Sequence, residues 1–121
     1  MDTQHVLSFS DYPAGWQEPA EFILDESGNI RDCNKTSEEL FGYTLRELIS
    51  QHISKLLPQL SKFEVIHDGQ FNRRLAYLCH CGYLFIAQNH YGVTFSSELR
   101  LVNLSHAGMQ VLKLLVLPGA D

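Results

Sequence analysis

Clustered positive charge is missing from this sequence. Nine Lys and Arg are scattered among fourteen Asp and Glu, giving a formal charge of −5, and the one tight basic pair is Arg73–Arg74. Phosphate backbones are held by grouped cations, so no direct nucleic-acid partner is expected, and the pair reads as the solvated start of a helix. Long apolar runs are missing too. A membrane-spanning helix needs about 20 consecutive apolar residues, and no run, Leu114–Leu117 included, comes near that, so no membrane partner is expected. Met1–Ser10 carries Asp2 and no cationic stretch ahead of an apolar one, so no signal peptide is expected and the cytoplasm is the default compartment.

Cysteine is scarce and odd in number, at Cys33, Cys79 and Cys81. Three thiols do not make a disulfide framework. Cys79-His80-Cys81 lacks the separated ligand pairs of structural zinc, so two buried cysteines at a helix end are expected there, and Cys33 reads as a core residue at a strand end. Catalytic patterns are also missing: there is no phosphate-binding Gly loop, no Ser/His/Asp ordering and no HExxH. Glu38 and Glu39 are adjacent on a helix and point apart, so they cannot work as a carboxylate pair. No enzyme is expected.

What is present is material for one core. The 121 residues are 45% apolar and include seven Phe, five Tyr and one Trp, enough for a single domain. Residues 1–19 hold Pro13, Gly15 and Pro19 and read as an N-terminal extension with a helical turn or two. From Ala20, two short apolar runs flank the turn Asp25–Asn29, the pattern of a β-hairpin. Asn34 then suits a helix N-cap, Gly42 a left-handed stop, and Thr44 with Glu47 a capping box for a second helix. Leu45 to Leu60 continue at helical spacing with a break at Pro58. Ser61 to Gln70 reads as irregular around the turn Asp68–Gly69, and Asn72 to Cys81 as a helix stopped by Gly82. Strands follow over Tyr83–His90, Val93–Leu104 and Met109–Leu117, with a turn at Ser105–Gly108 and a tail at 119–121. In the middle strand Phe95, Leu99 and Leu101 share one face, and Ser96, Glu98 and Arg100 the other.

The ordered set Gly28-x-Ile30-x-x-x-Asn34, Glu39-Leu40-x-Gly42-Tyr43 and Glu47-Leu48, followed by Phe85-x-Ala87, Gly92 and Phe95-x-x-Glu98-Leu99, resembles the PAS domain family of bacterial type. The resemblance covers about Ala20 to Pro118. It implies an α+β fold, a five-stranded antiparallel sheet in the order 2-1-5-4-3 with short helices on one face. It also implies a non-catalytic sensor or dimerisation module for signal transduction, attached to or meeting an effector such as a kinase or transcription-regulator domain. The family's basic residue ahead of the central Gly is replaced by His90-Tyr91, and its closing Asp-x-Thr is absent.

A ligand, in such a fold, would lie between the helices and the inner sheet face, against Phe41, Ile53, Leu57, Leu78, Phe85, Ala87, Phe95 and Leu99. The resemblance names no cofactor. His67-Asp68-Gly69 is similar to the setting of the iron ligand in haem-binding PAS sensors, which makes haem on His67 the alternative reading and His67 the one candidate metal ligand. The flavin-binding type needs a cysteine where this chain has Ser50 to Lys55, so flavin is not expected. The closing strand is apolar on both faces, with Val111, Leu115 and Leu117 on the outer one. With Val102 and Leu104 beside them, these ask for a cover, and a homodimer using Phe9 and Trp16 of the extension is expected to supply it.

Overall fold

The computed structural model describes residues 18–119. The extension with Phe9 and Trp16, and the last residues of the tail, lie outside the described residues. Strand β1 (Ala20–Leu24) turns through Asp25–Asn29 into β2 (Ile30–Cys33), and helices α1 (Lys35–Phe41) and α2 (Leu45–Leu48) follow. Two 3₁₀ turns (Ile53–Lys55, Pro58–Lys62) lead to a ribbon of two-residue strands, β3 (Ile66–His67) and β4 (Gln70–Phe71), and then to α3 (Arg73–His80). Strands β5 (Phe85–Gln88), β6 (Thr94–His106) and β7 (Met109–Pro118) complete the chain. The large sheet has the order β2-β1-β7-β6-β5, and each of its pairings is antiparallel. Without the small ribbon, that is 2-1-5-4-3 in chain order.

Local chemistry sets these boundaries. The Asn34 side chain accepts from the Ser37 N–H and opens α1, and Gly42 at φ 76° closes it. Thr44 and Glu47 exchange both bonds of a capping box around α2. Pro58 sits at the start of the second 3₁₀ turn, where its missing N–H costs nothing. The hairpin between β6 and β7 turns more tightly than expected: both strands continue to the two-residue turn Ala107–Gly108, each at positive φ. The sequence pattern also missed the ribbon, in which Ile66 pairs with Phe71 and His67 with Gln70 across the Asp68–Gly69 turn.

The core lies between the helices and one sheet face. Phe22, Phe41, Leu48, Ile53, Leu56, Leu57, Leu60, Leu75, Phe85, Leu99 and Leu114 are fully buried there. The Gly-Tyr motif has a packing reason. The β5–β6 turn docks onto the end of α1, where the His90 N–H donates to the Phe41 carbonyl at 2.8 Å. Tyr43 meets the His90 ring edge-on at 4.5 Å, and Lys55 lies over the other ring at 5.3 Å. His90-Tyr91, the departure from the family pattern, is therefore packed against Gly42-Tyr43.

Gly28 is the glycine with least freedom to change. Its φ is +84°, and an added Cβ would meet His52 Nε2 at 2.8 Å. That ring is held from its other side by the Ser54 N–H at 3.1 Å, so it cannot swing away freely. Gly28→Ala should cost about 1–3 kcal/mol in denaturant titration. Gly92→Ala is the control, because its φ is +83° but nothing lies within 4 Å; it should show the left-handed penalty alone, about 1 kcal/mol. Equal losses at the two sites would contradict the His52 contact.

Candidate functional site

The inner sheet face carries Phe22 and Leu24 of β1, Phe85 and Ala87 of β5, Leu99 of β6, and Leu114 and Val116 of β7, all buried. Of the eight residues expected around a ligand, Phe41, Ile53, Leu57, Phe85, Ala87 and Leu99 are buried core side chains, and Leu78 and Phe95 are half-buried against them. Leu78 and Phe85 also reach a cleft of about 540 Å³ between the second 3₁₀ turn, α3 and the start of β5. Its other walls are Gln59, Lys62, Phe63, Glu64, Asn72, Arg74 and Tyr83. Tyr83 stands edge-on to Phe85 at 4.8 Å.

Sequence reasoning missed Gln59, which holds one side of this cleft. The Ile86 N–H on the free edge of β5 donates to Gln59 Oε1 at 2.7 Å, and the Gln88 N–H donates to the Leu56 carbonyl at 2.9 Å. The edge strand is thus tied to the 3₁₀ turns, which fixes the cleft mouth. Nothing local in the sequence marks a pairing across that distance. Behind the wall, Ser97 is paired with Phe85 and shares its face. Its side chain is fully buried, and its Oγ makes no hydrogen bond.

His67 is elsewhere. Its side chain is 60% exposed, with Nδ1 3.1 Å from Glu64 Oε1 and Nε2 3.4 Å from Asp68 Oδ2. A haem ligand needs a ring directed into an apolar pocket with one free nitrogen, and this ring, exposed between carboxylates, does not fit. Among the described residues, no group of three or more His, Cys, Asp or Glu could hold a metal ion.

The cysteines separate by environment. Burial pushes the Cys33 thiol up to about 11, with Glu38 and Asp32 adding to it, and burial alone does the same for Cys79. Cys79 is half-buried, but Cys81 is exposed, a correction to the expected buried pair: the helix ends at His80, so Cys81 falls beyond the packed turn. Since the thiolate is the nucleophile, iodoacetamide at pH 8 should label Cys81 well ahead of Cys33 and Cys79. Peptide mass spectrometry would read the order, and equal labelling of all three would contradict the burial.

The outer sheet face follows from the register. Leu115 lies between Glu21 and Arg100, Lys113 between Ile23 and Val102, and Val111 opposite Leu104. Val102, Leu104, Val111, Leu115 and Leu117 are all half-buried. Among them runs an ion pair, Lys113 Nζ to Glu21 Oε1 at 3.3 Å, whose side chains are only 13% and 3% exposed. Ile86 on β5 extends this face and is 42% exposed.

Sheet order, helix placement and the Gly-x-Ile-x-x-x-Asn segment define one class of protein, the PAS fold. Residues 18–76 match the family model described as PAS fold, and the chain has the PAS fold. Among solved structures it is similar to the PAS domain of a two-component sensor histidine kinase, at 14% identity over 95% of this chain and 92% of that one, with a TM-score of 0.64. The PAS domain of nitrogen regulation protein NR(II) from Vibrio parahaemolyticus superposes with a TM-score of 0.59, at 15% identity over 98% and 99% of the two chains. A PAS domain from Colwellia psychrerythraea gives 0.61, at 20% identity over 93% and 92%. Comparison with curated proteins gives no match.

Proposed function

We propose that the chain is a non-catalytic sensor and pairing module of a signal-transduction protein, working in the cytoplasm as a homodimer and passing a small shift of its sheet to an attached or separate effector. The observation that carries the pairing is the outer face. Every described helix packs on the inner side, yet Val102, Leu104, Val111, Leu115 and Leu117 are apolar and half-buried on the other. A second copy, together with the extension through Phe9 and Trp16, gives that surface a cover. Apolar burial is worth about 25 cal/mol per Å², so a face of several such side chains supplies many kcal/mol. The desolvated Glu21–Lys113 pair fits an interface of fixed register, because a buried charge pair tolerates few alternative partners.

Sensing is assigned to the cleft between α3, β5 and the second 3₁₀ turn, which opens onto Leu78 and Phe85 at the edge of the core. That the related folds include the PAS domain of a sensor histidine kinase and that of a nitrogen regulation protein supports a signalling role. The haem alternative on His67 does not enter the proposal, since that ring is exposed and engaged by Glu64 and Asp68. No helix among the described residues is long and apolar enough to cross a membrane.

Leu115→Glu tests the pairing. A charge at the centre of the outer face should weaken the dimer at least about 30-fold, as expected for an interface anchor. Light scattering after gel filtration would show a monomer with an unchanged circular dichroism spectrum. A variant as dimeric as the unmodified chain would remove the outer face from the interface.

A further inference from the structure

The charge in the sensing cleft runs against the charge of the chain. Overall the protein carries −5, but Lys62 and Arg74 both line this one opening. Among the described residues, neither cation has an ion-pair partner. The third charge on the wall, Glu64, is engaged by His67 at 3.1 Å. The lining of the cleft therefore carries one net positive charge, the complement of a monoanion. Phe63, Leu78, Tyr83 and Phe85 supply the apolar part of the wall, and Gln59 and Asn72 are its uncharged polar members.

Arginine's planar fork matches a carboxylate with two parallel hydrogen bonds, and an ammonium beside it adds a point charge. Aromatic walls favour a planar apolar body stacked or edge-on against them. The volume, about 540 Å³, is within the range of small-molecule sites.

We infer that the cleft takes a small aromatic monocarboxylate, its ring against Phe63, Leu78, Tyr83 and Phe85 and its carboxylate on Arg74 and Lys62. This rests on the reading of the cleft as the sensing site. A phosphate dianion suits it less, because Glu64 leaves room for one negative charge only and the apolar walls would go unused. Binding at so exposed a pair of cations is salt-sensitive and weakens as ionic strength rises.

The test is titration of the ¹⁵N-labelled full chain with three probes: sodium benzoate, its neutral isostere benzamide, and inorganic phosphate. Benzoate should shift amides of residues 59–64, 72–78 and 83–86 in a saturable way, at least tenfold more tightly than benzamide or phosphate. Arg74→Gln should weaken benzoate at least tenfold and benzamide less than twofold. Arg74 is exposed, so the variant should fold as the unmodified chain does. Equal binding of benzamide, or benzoate binding indifferent to Arg74→Gln, overturns the anion assignment and leaves the cleft as a binding site. Phosphate as tight as benzoate overturns the aromatic body. If no probe shifts the cleft amides, both the ligand class and the sensing role of the cleft fall.

Discussion

Phe41→Ala is expected to cost about 3–5 kcal/mol, the range for truncating a fully buried aromatic ring. The ring closes α1 onto the sheet. It is 0% exposed and meets Phe22 edge-on at 5.7 Å and Phe95 at the same centroid distance. Its carbonyl also receives the His90 N–H, so the truncation loosens the β5–β6 turn as well. A domain of this size has about 5–15 kcal/mol in total, and the variant should unfold at much lower denaturant with an unchanged slope. A loss below about 1 kcal/mol would mean that the site is hollow enough to collapse around alanine. Phe41 would then be a wall of a cavity, with its effect on ligand affinity instead.

Asn34→Ala should cost about 2–4 kcal/mol, well above the roughly 1 kcal/mol of a simple cap. The carboxamide does several jobs in a site only 4% exposed. Its oxygen accepts from the N–H of Glu21 at 3.1 Å, from the N–H of Ser37 at 3.0 Å and from the Ser37 hydroxyl at 2.8 Å. Its nitrogen donates to the Pro19 carbonyl at 3.0 Å and to Glu18 Oε1 at 3.3 Å. Alanine therefore leaves the buried Glu21 N–H without an acceptor, which adds about 1–3 kcal/mol to the lost cap. Asn34→Asp keeps the acceptor and loses the donor, and should fall between. Thermal unfolding of the two variants reads the order; a loss of about 1 kcal/mol for alanine would reduce Asn34 to a cap.

The contrast marks what a sequence discloses. The cap at Asn34, the αL stop at Gly42 and the Thr44–Glu47 box are local, with donor and acceptor a few residues apart, and the sequence pattern located each. The strands of the large sheet were legible from alternation and turn residues, and the family resemblance supplied their order. The second role of Asn34, pinning the entry to β1, spans 13 residues to Glu21 and has no local signature. The Gln59 tie to Ile86 spans 27 residues, and it shapes the cleft mouth for the same reason unseen. Strands β3 and β4 were missed because two residues apiece are too short to show a period. The residues expected around a ligand, Phe41 and Leu99 among them, are packed in or against the core, and alternation cannot distinguish a packed core from a cleft. Only the cleft left between α3, the second 3₁₀ turn and β5 separates Leu78 and Phe85 from the other six.

Sedimentation equilibrium of the unmodified 121-residue chain at high micromolar concentration addresses the pairing claim most directly. A chain of 13.8 kDa that pairs through the outer sheet face should sediment at twice that mass, and dilution into the low micromolar range should reveal a reversible dissociation. A single species at the monomer mass throughout would contradict the account. The half-buried Leu115 and Leu117 would then need no second copy, and the module would signal without pairing.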